Sequence, residues 1–374
     1  MTQNPMPKIR IGMVGGGQAP FIGSLQRIAA RLDHRFDLVA GALSSDPARA
    51  AASAADLGLA RSYADFHQMA RAEAARPDGI RAVSIVTPNH LHLPVAKAFL
   101  QAGIHVICDK PLTATLAQAE ELATIAAQSS ALFVLTHTYA GYPMLREARR
   151  LVASGALGQI RVVQVEYAQD WLARPVTGKQ ADWRVDPAQS GEGGAIGDIG
   201  SHAAHLASFV SGQPIEAVAA DLHSFVAGRR VDDNAHVMLR MGGGAKGMLW
   251  ASQVAPGFDN DIRLRVMGDQ AGLDWTHADP NRLRLTPLGA PSQILTRGGP
   301  GFGDPGFGVA ARIPAGHPEG YLEAFASLYS DAADAIETGQ MPDHLPGLAD
   351  GLHGMRFIAA CIASSRADGV WTRL

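Results

Sequence analysis

The chain has 374 residues, more than one hydrophobic core usually supports, and its 47% hydrophobic and 18% charged residues are typical of a globular protein with two domains. Its formal charge of −3 argues against binding to nucleic acid or to a membrane surface. The two cysteines lie far apart without the spacing of a metal site, and neither a leader segment nor a bilayer-spanning apolar run is evident, so we expect a soluble, cytoplasmic protein.

Strands and helices alternate over the first third of the chain. Continuous apolar runs predict buried parallel strands at 8–15, 36–43, 80–87, 105–110 and 132–137. Helical patterns lie between them at 24–32, 46–59, 92–103 and 115–130. This alternation predicts a doubly wound parallel sheet with right-handed crossovers, which we assign to a first domain, residues 1–140.

The pattern changes after residue 140. A helix is predicted at 144–154, followed by strands at 159–168, 215–225, 233–241, 245–254, 262–269 and 271–277 and by helices at 320–338 and 346–367. Successive strands without intervening helices predict an α+β second domain, residues 141–374, built on an antiparallel or mixed sheet. The glycine- and proline-rich segment 297–308 should be a mobile loop.

A glycine-rich turn, "MVGGGQAPFIG" at 13–23, joins the first predicted strand to the first helix. This is the context of a Rossmann dinucleotide fingerprint, in which Gly15 permits the tight turn and Gly17 lets a pyrophosphate approach the backbone near Gln18. The spacing departs from the usual pattern, because Pro20 stands where a third glycine is expected and the next glycine is Gly23. A plain turn between strand and helix is the alternative.

The end of the second strand bears on the choice of dinucleotide. An acidic residue there usually holds the adenosine ribose of NAD, but Ser44 and Ser45 occupy the position, with Arg49 one helical turn later. Small hydroxyls and a nearby arginine can accommodate a 2′-phosphate, which favours NADP slightly. Asp46 keeps NAD possible.

The ends of the third and fourth predicted strands should reach the same crevice. In "VTPNHLH" (86–92), Thr87 and Pro88 make a turn, and Asn89 and His92 would lie over the carboxyl ends of the strands, although a plain strand-end turn is the commoner use of such residues. The glycine-rich turn and the ends of the second, third and fourth strands together give the predicted cofactor contacts, which are Gly15, Gly17, Gln18, Ser44, Ser45, Arg49, Thr87, Pro88, Asn89, His92, Asp109 and Lys110.

The fourth strand ends unusually, on Asp109, Lys110 and Pro111. Beside the crevice, Lys110 can donate a hydrogen bond to a substrate hydroxyl and favour its alkoxide character, while Pro111 fixes the backbone that carries the lysine. A surface Asp–Lys pair at a strand exit is the alternative.

A second group of polar residues follows a glycine-rich approach in "GEGGAIGDIGSHAAHL" (191–206). Residues four apart share a helix face, so Asp198 can orient His202, and a histidine positioned by a carboxylate is suited to act as a general base. His202 could instead be structural, or Asp198, His202 and His205 could bind a metal. The metal interpretation is weaker because no supporting cluster of Cys or His is evident, and we predict no metal site.

Taken together, "GMVGGG", "VTPNHLH", "CDKPLT" and "GGAIGDIGSH" resemble the motifs of the glucose–fructose oxidoreductase/inositol dehydrogenase family, Gfo/Idh/MocA, in order and spacing over almost the whole chain. Asp109 stands where the family commonly has glutamate. The resemblance implies Lys110, Asp198 and His202 as the catalytic set, with His202 as acid/base, and a cis Lys110–Pro111 peptide. It also implies a second domain with a large open, mostly antiparallel sheet whose exposed face forms a homo-oligomer, a dimer or a tetramer.

The pocket suggested by the resemblance is uncharged. "LTHTYAGYP" (135–143) places Thr138, Tyr139 and Tyr142 where the family often carries Asn or Arg, which suits a neutral sugar or polyol. Trp183, Arg184 and His317 are weaker candidates, for which packing or loop roles compete. We predict substrate contacts from Lys110, Thr138, Tyr139, Trp183, Asp198, His202 and His317.

These features predict an NAD(P)-dependent oxidoreductase that acts on a secondary alcohol of a sugar, glycoside or inositol. A non-catalytic nucleotide- or sugar-binding regulator of the same fold is the main alternative, and it would not need the Lys110, Asp198 and His202 set. A metal-dependent lyase or isomerase would need a metal at Asp198, His202 and His205. Fold analogy alone supports none of the three.

Overall fold

The computed structural model describes residues 7–17, 21–176 and 178–374. The first part of the chain forms six strands and five helices, in the order β1 (Ile9–Gly15), α1 (Phe21–Leu32), β2 (Phe36–Ala42), α2 (Pro47–Asp56), β3 (Arg61–Ser62), α3 (Phe66–Ala74), β4 (Ala82–Val86), α4 (His92–Gln101), β5 (His105–Cys108), α5 (Leu116–Ala126) and β6 (Phe133–Leu135).

These strands form one parallel sheet in the order β3-β2-β1-β4-β5-β6. The strand order reverses between β1 and β4, so the crevice of a doubly wound sheet opens at the carboxyl ends of these two strands. Every residue of β4 is buried, as its continuous apolar sequence predicts. The predicted parallel sheet is confirmed; the short β3 and the helix α3 were not predicted.

The remainder of the chain contains α6 (Pro143–Ala153), β7 (Ile160–Ala168), α7 (Lys179–Asp182), α8 (Pro187–Ser190), α9 (Ser201–Ser211), β8 (Ile215–His223), β9 (Asn234–Met241), β10 (Lys246–Ser252), β11 (Asp261–Gly268), β12 (Ala271–Thr276), β13 (Arg282–Pro287), β14 (Gln293–Thr296), α10 (Tyr321–Thr338), α11 (Leu348–Arg366) and β15 (Thr372–Arg373).

Nine of these strands form a second sheet in the order β14-β13-β12-β11-β7-β10-β9-β8-β15. Only β7 and β10 pair in parallel, so the sheet is mixed and mostly antiparallel, as predicted. Buried residues alternate with exposed ones along β9 and with half-buried ones along β11, because α9 and α11 pack on one face of the sheet.

The last part of the chain returns to the first sheet. Helix α10 packs against α1, and Tyr329 donates a hydrogen bond of 2.8 Å from its hydroxyl to Oε1 of Gln26. The predicted division into domains at residue 140 stays a prediction, as does the mobility of segment 297–308, which contributes no strand to either sheet. No helix in the described ranges is both long and apolar enough to cross a membrane.

Candidate active site

The glycine-rich turn lies between the ends of β2 and β4. Gly15 and Gly16 have φ of +80° and +68°, which favours glycine. A Cβ atom on Gly15 would lie 2.9 Å from the carbonyl oxygen of Val86, and one on Gly17 would lie 2.7 Å from that of Leu43. The turn therefore brings bare backbone to the crevice, as a pyrophosphate site requires.

A buried polar atom extends this surface. The hydroxyl oxygen of Thr87, just after β4, has no hydrogen-bond partner among the described residues. An orphaned hydroxyl at the switch point, beside a turn that tolerates no side chain, fits a bound dinucleotide. Gln18, another predicted contact, lies outside the described residues.

The predicted ribose contacts lie at the start of α2. Asp46 caps this helix by accepting a 2.8 Å hydrogen bond from the backbone N–H of Arg49, and its own N–H donates to Oγ of Ser44. The Arg49 side chain is 69% exposed, with Nε 4.0 Å from the Asp46 carboxylate. The arginine therefore remains accessible to an anion, although a carboxylate lies close to it.

His92 joins the two turns on either side of the crevice. Its Nδ1 lies 2.8 Å from the carbonyl oxygen of Pro111, and its Nε2 lies 2.9 Å from that of Thr87. Asn89 donates from Nδ2 to the carbonyl oxygen of Ser190, 2.8 Å away. Since both ring nitrogens of His92 meet backbone, the residue braces the site from behind, and direct cofactor contacts by His92, Pro88 or Asn89 stay predictions.

Asp109 has a similar bracing position. Its Oδ1 accepts from the backbone N–H of Lys110 at 2.9 Å and from the hydroxyl of Thr136 at 3.1 Å. Burial raises the pKa of Asp109, although the charges of Lys110 and His92 oppose the shift. The carboxylate thus fixes the turn that carries Lys110, and its contact with a cofactor stays a prediction.

Lys110 and Asp198 meet across the crevice. The Lys110–Pro111 peptide is cis, as predicted. The ammonium group of Lys110 donates to Oδ1 and to the backbone oxygen of Asp198, each at 2.7 Å. Lys110 and Asp198 therefore form an ion pair although they are 88 positions apart in the sequence. Lys110 follows β5 of the first sheet, and Asp198 precedes α9, which packs on the second sheet.

The second carboxylate oxygen of Asp198 has two further partners. Gln253, just after β10, donates from Nε2 at 3.0 Å, and Nε of Arg184 lies 3.5 Å away. Burial alone would raise the pKa of Asp198, but Lys110 and Arg184 together hold it well below its usual range. Asp198 is therefore an anion at neutral pH.

The backbone around Asp198 is a π-helical turn, Ile196–Gly200, that leads into α9. The α-helical spacing assumed from the sequence does not hold there. Asp198 and His202 form no hydrogen bond with each other in the described part of the chain, although the Asp198 charge opposes the lowering of the His202 pKa. That this carboxylate orients the imidazole stays a prediction. Asp198 orients Lys110.

His202 is 5% exposed and lies among aromatic rings. Its ring meets that of Tyr139 edge to face at 5.2 Å and that of His137 at 5.7 Å, and its Nδ1 has no partner among the described residues. Burial, followed by the charge of Lys110, lowers the pKa of His202 well below its usual range. The imidazole is therefore neutral at pH 7 and able to accept a proton.

Two other predicted substrate residues, Tyr139 and Thr138, are buried in the protein. Tyr139 is 1% exposed, and its hydroxyl donates to that of Tyr167, which donates to Oδ1 of Asn260, each at 2.8 Å. Thr138 is also buried. The Tyr139 ring packs against His202, and the contact of either residue with a substrate stays a prediction.

Trp183 and His317 lie in different surroundings. Trp183 is half-buried and stacks on the guanidinium of Arg184, 4.4 Å from the ring centroid. His317 is exposed, and its carbonyl oxygen accepts from Arg297. In the described part of the chain no contact joins His317 to Lys110, Asp198 or His202, and its role stays a prediction.

His205 points away from the ion pair. Its ring stacks on that of His137 at 4.0 Å, and its Nε2 lies 3.8 Å from Oδ1 of Asp350. Within residues 7–17, 21–176 and 178–374, no group of three or more His, Cys, Asp or Glu residues could hold a metal ion.

Comparison with known proteins gives consistent matches. Residues 9–137 match the family model described as "Oxidoreductase family, NAD-binding Rossmann fold", and residues 145–274 match "GFO/IDH/MocA C-terminal domain". An uncharacterized oxidoreductase of Bacillus subtilis, YfiI, is 35% identical over 97% of this chain and 96% of its own length.

Two solved structures resemble the fold closely. An oxidoreductase from Sinorhizobium meliloti is 52% identical with a TM-score of 0.89, covering 98% of this chain and 99% of that chain. An inositol dehydrogenase homolog from Azotobacter vinelandii, complexed with NADH and myo-inositol, is 38% identical with a TM-score of 0.91, covering 99% and 98%. The similarity thus extends over both sheets.

Proposed function

Because this chain belongs to the Gfo/Idh/MocA oxidoreductase family, we propose that it is an NAD(P)-dependent dehydrogenase acting on a secondary alcohol of a sugar, glycoside or inositol. One observation carries the proposal: the ammonium of Lys110 lies 2.7 Å from Asp198 at the switch-point crevice, on the side where the neutral His202 is buried. The myo-inositol complex of the Azotobacter vinelandii relative supports the substrate class.

When bound, the nicotinamide supplies a hydride acceptor or donor at its C4 atom. His202 takes the proton of the substrate hydroxyl during oxidation, since its imidazole is neutral at pH 7. Lys110 donates a hydrogen bond to the same oxygen and stabilises the negative charge that develops there. Asp198 holds the ammonium of Lys110 in place through its Oδ1. In the reducing direction His202 returns the proton.

The dinucleotide preference is a separate part of the proposal. Ser44 and Ser45 leave room for a 2′-phosphate, and the exposed guanidinium of Arg49 can pair with it, so NADP should be used at least as well as NAD. Titrations of both cofactors against the wild type and Arg49→Ala test this. Arg49→Ala should weaken NADP selectively; a strong preference for NAD that the substitution leaves unchanged would contradict it.

We also propose that the protein forms a homo-oligomer through the outer face of the second sheet. The face opposite α9 and α11 carries exposed Val162, Met238 and Met248 on neighbouring strands. A second copy of the chain can cover this face by symmetry, because the same residues then meet each other.

A substrate screen tests the enzymatic function. Inositols, sugars and glycosides are offered with NAD and with NADP, and turnover is read from the nicotinamide absorbance. At least one neutral polyol should give sustained turnover. If no substrate is turned over while either dinucleotide still binds, the non-catalytic regulator becomes the better account.

A further inference from the structure

A segment outside both sheets reaches the site from one side. Residues 178–190, which we call the strap, contain α7 and α8 and precede the π-helical turn that carries Asp198. The strap contacts both sides of the crevice: the Ser190 carbonyl oxygen accepts from Asn89, and Arg184 faces Asp198. It therefore touches the predicted cofactor side and the ion pair.

Two tryptophans hold Arg184 in the strap. Its guanidinium carbon lies 4.4 Å from the ring centroid of Trp183 and 6.0 Å from that of Trp171. Trp171 is itself fixed, because its Nε1 donates to Oε1 of Gln169 at 2.9 Å. A planar guanidinium on aromatic faces is well oriented at small entropic cost, in a way that lysine cannot reproduce.

The charges around Asp198 show what Arg184 adds. Lys110 and Asp198 alone would form a neutral pair, and the carboxylate would offset most of the field that the ammonium exerts on a substrate oxygen. Arg184 brings a second positive charge to the opposite carboxylate oxygen, with Nε 3.5 Å from Oδ2. The group of three then carries a net positive charge facing the crevice.

We propose that Arg184 is a positioning residue that shares the Asp198 carboxylate with Lys110 and so leaves the Lys110 ammonium able to polarise the substrate oxygen. This inference rests on the proposed dehydrogenase function for its kinetic consequence. The inference also has an electrostatic consequence that needs no substrate: with Arg184 present, Asp198 holds Lys110 less firmly in the free protein.

The kinetic test compares Arg184→Ala and Arg184→Lys with the wild type. Arg184→Ala should lower kcat by roughly 10- to 100-fold, the scale of one lost charge-assisted contact, with a smaller change in substrate KM and in dinucleotide Kd. Guanidinium chloride at low millimolar concentration should restore part of the Arg184→Ala rate, and sodium chloride should not. Arg184→Lys should lie between the two.

A matched control is available in the same segment. Arg230 donates to Asp186 of the strap at 2.7 Å through a side chain that is 67% exposed, without touching Asp198. Arg230→Ala loosens the strap but leaves the charges at Asp198 intact, so its kcat should stay close to that of the wild type. An equal loss in Arg230→Ala and Arg184→Ala would show that general loosening is responsible, against the proposal.

A second measurement needs no turnover. Competitive acetylation of the free protein with acetic anhydride, read by mass spectrometry of the peptide containing Lys110, reports how firmly Asp198 holds the amine. Acetylation of Lys110 should be several-fold slower in Arg184→Ala than in wild type and Arg230→Ala. Unchanged labelling overturns the inference even if kcat falls, whereas a wild type without dehydrogenase activity but with the labelling difference contradicts only the proposed function.

Discussion

Lys110 and His202 occupy the same crevice in complementary states. The ammonium of Lys110 is bound to Asp198, and the imidazole of His202 is neutral because burial and the lysine charge both disfavour its protonated form. A base in such surroundings accepts a proton only while negative charge develops on the substrate oxygen, and it releases that proton easily afterwards. In the proposed mechanism the two side chains would therefore act on one substrate oxygen in different ways, Lys110 by charge and His202 by proton transfer.

Removing either group should affect turnover far more than cofactor binding. Lys110→Ala and His202→Ala should each lower kcat by about two to four orders of magnitude, the usual scale for acid–base and electrostatic groups. Steady-state kinetics on the substrate found in the screen, with dinucleotide Kd from fluorescence titration, measure both effects. Lys97→Ala, which removes an exposed pair with Glu121, is the control. Near wild-type turnover in both variants would show that the assignment is wrong.

The neutral state of His202 has a consequence for pH. A general base must be unprotonated, and the pKa of this imidazole is lowered from an ordinary value of 6.5. Activity in the oxidising direction should therefore persist as pH falls below 6.5 and decline only as pH falls through the lowered pKa. The profile of kcat/KM against pH measures this. An acid limb centred at or above 6.5 is the result that we do not expect.

At the scale of elements, a buried carboxylate shapes the approach to the π-helical turn. Asp232, between β8 and β9, accepts hydrogen bonds from the backbone N–H groups of Gly194 and Ile196, each at 2.7 Å. The segment 194–196 ends two residues before Asp198, so Asp232 fixes backbone close to the ion pair. Burial raises the pKa of Asp232 to about 6, although the two N–H donors oppose the shift.

Asp232→Asn should destabilise the protein in a pH-dependent way. The asparagine amide presents one oxygen where the carboxyl presents two, so one buried N–H loses its acceptor, at a cost of about 1–3 kcal/mol. Because the folded pKa of Asp232 lies above its ordinary 3.8, the stability linked to this group is full below about pH 4 and is lost as pH rises through about 6. The difference in free energy of unfolding between wild type and variant should therefore shrink from pH 5 to pH 7.

Urea denaturation at several pH values measures this difference. Asp37→Asn, which changes an exposed carboxylate of β2, is the matched control and should alter neither stability nor its pH dependence. A wild-type advantage that is constant or grows with pH would contradict the account of Asp232.

The elements also show where sequence reasoning succeeds and where it stops. The buried parallel strands were predictable because a continuous apolar run is typical of such a strand. β3 and β13 were not predicted, because β3 has only two residues and β13 carries two arginines and a proline. The partners of Asp198 show the other limit. Gln253 reaches the carboxylate through long-range packing that no local pattern reveals. Arg184 was a weaker pocket candidate from the sequence, but no local pattern pairs it with Asp198. The π-helical turn also departs from the α-helical spacing from which the Asp198–His202 contact was inferred.

At the scale of the whole molecule, helices pack on one face of the second sheet, whereas none of the helices in the described ranges is seen to pack on the other, the uncovered face. Nine strands at about 4.8 Å spacing, with central strands about 23 Å long, give the uncovered face a projected area of roughly 900 Å². A stable interface between two proteins uses about 800 Å² from each partner. The face is therefore large enough for a dimer, and the register that pairs Met238 with Met248 places two flexible apolar side chains near its middle.

Charges introduced at this pair should separate the copies. Met238 is 51% and Met248 is 44% exposed, so glutamate at either position is solvated in a monomer and costs the fold little. In a dimer that buries the same face twice, the double variant Met238→Glu/Met248→Glu would bring four carboxylates together and remove them from water, which disfavours association. Sedimentation velocity should therefore show an oligomer for the wild type and a monomer for the double variant. Ile28→Glu, an equally exposed apolar position on α1, should leave the oligomer intact. A wild type that sediments as a monomer, or a double variant that keeps the wild-type mass, would show that this face is not the contact between copies.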